Sequence, residues 1–200
     1  MNHLAGKATV APMESILSKA VADSCAAMQS LLAQQPAFDR IAAVAVATLR
    51  AGGKILSCGN GGSAADAMHL AEELVGRYRS NRRSLPGDCL NADATALTCI
   101  ANDFGFAEVF ARQIEGLGVK GDLLVCFSSS GNSPNILRAL DVARQRGVKS
   151  VALLGKDGGQ AKGKADLELI VASTDTARIQ ESHTLILHAL LEIIEREFPA

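Results

Sequence analysis

The sequence predicts an α/β fold, a three-layer, doubly wound parallel sheet with two helices ahead of its first strand. Three observations predict it. Short apolar runs alternate with segments whose apolar residues recur at helical spacing. The run Asp122–Phe127 is apolar almost throughout, as expected of a parallel strand covered on both faces. Two such runs also stop at turns rich in glycine or serine and pass straight into helices, which is the pattern of βα units.

In chain order, residues 1–12 lack the apolar core of a signal peptide and are expected to form a disordered tail, leaving 13–200 as one domain. Met13–Leu32 and Ala37–Leu49 carry apolar residues at helical spacing, the second stretch stopping at Gly52-Gly53. Lys54–Cys58 is the first strand, and a helix follows over Ser63–Arg77. A short strand at Asp88–Asn91 leads to helices over Ala94–Ile100 and Phe106–Leu117. After the strand Asp122–Phe127, Pro134 occupies a favoured first position of a helix that runs over Ile136–Arg146 and stops at Gly147. Ser150–Leu154 and Leu167–Val171 are two further strands, and the helix Ala177–Phe198 closes the chain.

Bulk properties exclude several classes. Twenty basic and 21 acidic residues give a net charge of −1 with no dominant basic face, so neither nucleic acid nor an anionic membrane is an expected partner. The basic stretch Arg77–Arg83 reads first as a solvated loop, with contact to a phosphate or a second subunit as the alternative. No apolar run approaches the roughly 20 residues that cross a bilayer. Five cysteines, odd in number and without a CxxC pair, read as buried reduced thiols of a cytoplasmic protein.

The segment Ile55–Ser63 ends a strand in Gly59-Asn-Gly-Gly and starts a helix at once, placing free backbone N–H groups at the positive end of a helix dipole. It fits the dinucleotide pattern G-x-G-x-x-A, but the acidic residue that should follow about 20 positions on is replaced by the Arg77–Arg83 stretch. No lysine follows the glycines as a P-loop requires. Ser128–Ser133 supplies four hydroxyls and a glycine in six residues at a second strand-to-helix turn. One hydroxyl is enough to cap a helix, so the others point to a phosphate monoester. Ligands of such sheets bind beyond the carboxyl ends of the strands, where both turns fall.

His69 and Glu73 share one helical face, with Glu72 beside them. Gln180, His183 and His188 lie on the last helix, so that helix and the one bearing His69 hold three of the four histidines. His183 follows Gln180 by one turn, whereas His188 lies about 12 Å further along the helix. For Gln180 and His188 to share one ion, they must come from different subunits or the helix must bend. Asn102-Asp103 reads equally as turn punctuation and as a binder of sugar hydroxyls.

Taken together, Cys58-Gly-Asn-Gly-Gly-Ser63, Asp66-Ala-Met-His69, Glu72-Glu73-Leu, Gly76-Arg-Tyr78, Asn102-Asp-Phe-Gly-Phe106, Ser128–Ser133 and Arg178-Ile-Gln-Glu181 through His188 resemble the phosphoheptose isomerases. That family belongs to the sugar isomerase (SIS) domain superfamily, and the likeness runs from about residue 13 to the C-terminus. The resemblance implies a flavodoxin-like, five-stranded parallel sheet in a cytoplasmic homotetramer with active sites at subunit interfaces. It implies conversion of sedoheptulose 7-phosphate to D-glycero-D-manno-heptose 7-phosphate, a step towards the heptose of bacterial lipopolysaccharide. Carried onto this sequence, it makes His69, Glu73, Gln180 and His188 the ligands of one zinc ion per site and leaves His183 outside the set. Glu73 and His188 become the acid–base pair, and substrate falls to Asn60, Gly61, Gly62, Ser63, Glu73, Asn102, Asp103, Ser128, Ser129, Ser130, Ser133 and Gln180.

Two departures stand out. Many members have Ser-Thr-Ser-Gly where this chain has Ser128-Ser-Ser-Gly, and some carry an acid where this chain has Ala177. The alternatives are a non-catalytic SIS protein that binds the replication initiator, or an SIS isomerase or sensor for another sugar phosphate. The non-catalytic relatives lack the counterparts of Glu73 and His188, and this chain has both.

Overall fold

The computed structural model describes residues 13–199. The expected tail, residues 1–12, lies outside them. Seven α-helices and five strands occur among the described residues: α1 (Met13–Ser30), α2 (Gln35–Arg50), β1 (Ile55–Gly59), α3 (Gly62–Val75), β2 (Gly87–Cys89), α4 (Ala94–Phe104), α5 (Ala111–Leu117), β3 (Leu123–Ser128), α6 (Pro134–Arg146), β4 (Lys149–Gly155), β5 (Leu167–Val171) and α7 (Thr176–Glu197). No loop separates α1 from α2; a single 3-10 turn, Leu31–Gln34, joins them. The helix expected over Phe106–Leu117 is instead a 3-10 turn at Phe106–Glu108 followed by α5. The break brings the consecutive residues Val109 and Phe110 both into the core, which one continuous face does not do as readily.

All five strands are parallel, in the order β2-β1-β3-β4-β5. Because successive strand residues face opposite sides, the sheet feeds two cores. Leu123, Val125 and Phe127 point to the side covered by α2, α3 and α7, together with Ile41, Leu70, Leu74, Leu187 and Leu190. Leu124 and Cys126 point to the other side, against Ile114 of α5 and Ile136, Ala139 and Leu140 of α6. Continuous burial along β1 and β3 explains why both read as unbroken apolar runs.

Polar contacts secure the sheet margins. The side-chain amide of Gln34 donates to Ile170 O (2.7 Å) and accepts from Ile170 N–H (3.1 Å), covering the open edge of β5. At the opposite end from the strand C-termini, the buried Asp122 accepts from Lys54 N–H (3.0 Å), Lys54 Nζ (2.5 Å) and Val119 N–H (3.0 Å). Burial alone raises its carboxyl pKa; these bonds and the Lys54 charge more than offset that and hold it below the usual value. Cys58, Cys89 and Cys126 are buried free thiols as expected, with Cys58 and Cys126 3.6 Å apart. Cys25 and Cys99 are exposed, which corrects the expectation of uniform burial: both lie on outer helix faces.

His183 is fully buried in α7, its Nε2 3.1 Å from Leu154 O and its ring edge-on to Phe127. Burial lowers its pKa to about 4, despite the opposing pull of the Leu154 carbonyl. The folded state therefore refuses a proton that the unfolded chain accepts near pH 6.5. The resulting stability is complete above that value and is lost as pH falls from 6.5 to 4, by on the order of 3 kcal/mol. Urea unfolding at pH 7.5 and pH 5 should show this loss, and His183→Leu should flatten it. An equally steep acid limb in the variant would remove His183 as its source.

Candidate active site

The order 2-1-3-4-5 has its switch point between β1 and β3, whose chains leave the sheet in opposite directions and open a crevice at the carboxyl ends. The glycine turn and the serine turn form its two lips. At the first lip, Asn91 clamps the backbone of Gly59 at both ends: its Oδ1 accepts from Gly59 N–H (3.1 Å) and its Nδ2 donates to Gly59 O (2.9 Å). Gly61 then adopts φ 58°, ψ −123°, a conformation that side-chain-bearing residues rarely reach, and so turns the chain into α3 within two residues. The first-turn N–H groups of α3 are largely taken, which corrects the expectation of free donors at this turn: Ser63 N–H donates to Asn60 O (3.1 Å), and Ala64 and Ala65 N–H donate to Gly61 O (3.0 and 3.4 Å).

At the second lip, the hydroxyl oxygens of Ser128 and Ser130 accept from Gly131 N–H (3.1 Å) and Asn132 N–H (3.2 Å). Each hydroxyl proton stays available to donate, as an anion needs. Ser133 is the N-cap residue of α6, yet its side chain makes no capping bond. Ser129 and Ser130 are half-buried. A methyl group on Gly131 would stand 1.9 Å from the Gly158 carbonyl oxygen, so only glycine lets the turn lie against the β4–β5 loop.

Beside the crevice, α3 and α7 lie side by side and parallel. Gly62 faces Gln180: a methyl group there would lie 2.5 Å from Gln180 Nε2. One turn on, Asp66 Oδ1 accepts from the Thr184 hydroxyl (2.8 Å). One turn further, the rings of His69 and His188 meet edge to face with centroids 5.0 Å apart. Glu73 Oε1 is 3.5 Å and Glu72 Oε1 4.0 Å from His69 Nε2. Tyr78 covers the other side of His188, with centroids 5.5 Å apart. Asp66 is buried beneath this group and its Oδ2 has no partner. Burial pushes the Asp66 carboxyl up, while the Thr184 hydroxyl and the two histidines pull it part of the way back.

A metal ion finds suitable donors here. Ligand atoms of His69, Glu72 and Glu73 lie within 4.8 Å of one another, and His188 borders the group. Imidazole and carboxylate donors are zinc's ordinary partners. Glu72 was not among the expected ligands and, at 66% side-chain exposure, sits on the rim.

Other expected residues lie elsewhere. Gln180 stands two helical turns from His188, about 12 Å along an α7 that runs unbroken from Thr176 to Glu197. Ser63 is buried in the first turn of α3. Asn102 and Asp103 are exposed at the far end of α4, Asn102 Nδ2 donating to Asp103 Oδ1 (2.8 Å) and Cys99 Sγ 3.7 Å from Asp103 Oδ2. The Arg77–Arg83 stretch is more tied down than a solvated loop. Arg79 pairs with Glu192 (2.7 Å), and Arg82 donates to the Glu73 (2.5 Å) and Leu74 (3.0 Å) carbonyls, capping the C-terminus of α3. Sequence reasoning passed over Asn91 and Asn135, whose roles depend on contacts 32 and 75 residues distant. A polar asparagine inside an otherwise apolar helix start was the one available signal for Asn135.

Comparison with known proteins agrees with this architecture. A profile of the SIS domain matches residues 19–155. The phosphoheptose isomerase of Aliarcobacter butzleri is 52% identical over 164 residues, 82% of this chain and 86% of that protein. Among solved structures, the phosphoheptose isomerase of Neisseria gonorrhoeae superposes with a TM-score of 0.85 at 39% identity, over 92% of this chain and 99% of that one. That of Francisella tularensis gives 0.88 at 35% identity, over 94% and 100%. The chain belongs to the phosphoheptose isomerase family of SIS-domain proteins.

Proposed function

We propose that this chain isomerises sedoheptulose 7-phosphate to D-glycero-D-manno-heptose 7-phosphate, with Glu73 and His188 as its acid–base pair. One observation carries the reading: His69, Glu73 and His188 converge on one protomer beside a crevice suited to a phosphate monoester. A protein that only binds sugar phosphates or a protein partner has no need of that convergence.

The reaction moves a carbonyl from C2 to C1. A base removes a proton from C1, leaving an enediol(ate), and the proton returns at C2 while the two oxygens exchange theirs. Glu73, whose side chain is only 16% exposed, is assigned the carbon-bound proton. His188, held between Tyr78 and His69, is assigned the protons on O1 and O2. The phosphate binds between the first turn of α6 and the hydroxyls of Ser128, Ser129, Ser130 and Ser133. The glycine turn, with Asn60, Gly61, Gly62 and Ser63, meets the sugar. Zinc, held by His69, Glu73 and His188 with Gln180 as the fourth ligand, would polarise the carbonyl. Because His188 already meets His69 within one protomer, the separation of Gln180 from His188 favours a Gln180 supplied by a second subunit. Asn102 and Asp103, exposed on α4, are proposed to reach substrate across the same interface.

A homotetramer suits these features. Ile16 and Leu17 of α1 are 65% and 69% exposed, and Val21 and Leu32 extend the apolar stripe. No helix among the described residues is long and apolar enough to cross a membrane. A cytoplasmic location is part of the same proposal.

Conversion of sedoheptulose 7-phosphate to the aldose is the direct test, and a protein that leaves it unchanged is not this isomerase. Glu73→Gln is expected to lower kcat by a factor of about 10²–10⁴ with little change in KM. A variant with wild-type kcat would dismiss Glu73 as the base. Ser130→Ala should instead raise KM several-fold and largely spare kcat, because phosphate contacts are alike in ground and transition states; a collapse of kcat alone contradicts that role. Chelation should lower kcat, with Zn²⁺ restoring it, and His69→Ala should lose bound zinc by elemental analysis. Full activity in metal-free protein would take zinc out of the mechanism.

A further inference from the structure

We propose that Asn135 is a positioning residue of this active site, acting on substrate through Asn60; the inference rests on the isomerase reading above. Asn135 is the second residue of α6, follows Pro134, and is 1% exposed. Its side chain does not cap its own helix. It crosses the crevice to form a reciprocal amide pair, Asn60 Nδ2 donating to Asn135 Oδ1 and Asn135 Nδ2 donating to Asn60 Oδ1, both at 2.9 Å. Two matched amides satisfy one another whichever way both are turned, so the pair is a self-complementary bridge.

The bridge links the two lips at the switch point of the sheet. On one side it holds the residue between Gly59, whose N–H and C=O Asn91 clamps, and Gly61, whose φ of 58° sets the turn. On the other it holds the first turn of α6, beside the phosphate hydroxyls. The Asn60 carbonyl is taken as well, by Ser63 N–H (3.1 Å). The Asn60 amide therefore has half of its hydrogen-bonding capacity committed before substrate arrives, and its orientation is set from across the crevice. A phosphosugar bound at both lips needs them at a fixed separation, and an amide pair between the lips supplies it. Removing the bridge should therefore loosen substrate binding more than it slows proton transfer, whose groups lie on α3 and α7.

The test is a double-mutant cycle on the full chain, with steady-state kinetics on sedoheptulose 7-phosphate and Tm measured for every variant. Asn60→Ala and Asn135→Ala should each raise KM about tenfold, with kcat within about threefold of wild type. The double variant should be no worse than the poorer single one, because Asn135 has no route to substrate except through Asn60. Asn135→Leu keeps the volume, removes both bonds and adds no charge beside the phosphate. It should raise KM as Asn135→Ala does, and it replaces Asn135→Ala in the cycle if that variant does not fold. Effects on KM that multiply in the double variant overturn the proposal. So does an Asn135 variant whose Tm falls while its KM stays at the wild-type value. Wild-type protein that fails to turn over the sugar phosphate overturns the isomerase reading instead, so the two failures are distinct.

Discussion

Parallel packing of α3 against α7 is the constraint on which this site depends. Helices that follow parallel strands on one face of a sheet run in the same direction, so successive turns of one stay level with successive turns of the other. Gly62 with Gln180, Asp66 with Thr184, and His69 with His188 are three steps of that seam. The close approach at Gly62 lets the helices start together, and the histidines then meet about 10 Å further along α3. Residues more than a hundred positions apart thus become neighbours through topology, with no loop required to bring them in. The Arg79–Glu192 pair and the Arg82 cap hold the distal end, where Glu73 stands.

The two ends of the sheet divide the work. At the amino ends of β1 and β3, Asp122 takes three hydrogen bonds and is fully committed to structure. At the carboxyl ends, polar groups keep spare capacity: serine hydroxyls that accept but have a proton left to donate, and asparagine amides half used by one another. A buried polar group without a partner costs stability, and the two such acceptors on or beside the α3/α7 seam, Asp66 Oδ2 and His183 Nδ1, therefore weigh against the fold. Asp66 sits under the reactive histidines, whereas His183 faces the sheet and its role is structural. The same helix carries both kinds of histidine, and burial tells them apart: His183 is fully enclosed against Phe127, while His188 lies in the open group with His69 and Tyr78.

Much of this was legible in the sequence. The central strands β1, β3 and β4 were recognisable because a parallel strand buried on both faces is apolar along most of its length, and β5 fell at its expected bounds, Leu167–Val171. The glycine and serine turns were visible because their composition has a local cause. Contacts between distant segments were not. Nothing in the spacing of Asn60, Asn91 and Asn135 shows that three amides will meet at one turn. The divided helix at Phe106–Leu117 was likewise hidden, since the burial of Val109 and Phe110 is decided by α6 and β3 rather than by local periodicity. Gln180 and His188 could be separated by helical rise alone, and the unbroken α7 keeps that separation within one protomer.

The central claim is that Glu73 takes a proton from the carbon beside the carbonyl. Hydrogen exchange in heavy water reads this step directly. Incubated in D₂O with sedoheptulose 7-phosphate and followed by proton NMR, the wild-type protein should wash deuterium into C1 of the ketose and C2 of the aldose. Glu73→Gln should leave both carbons protonated over the same period. Deuterium entering at the wild-type rate in the variant would contradict the account.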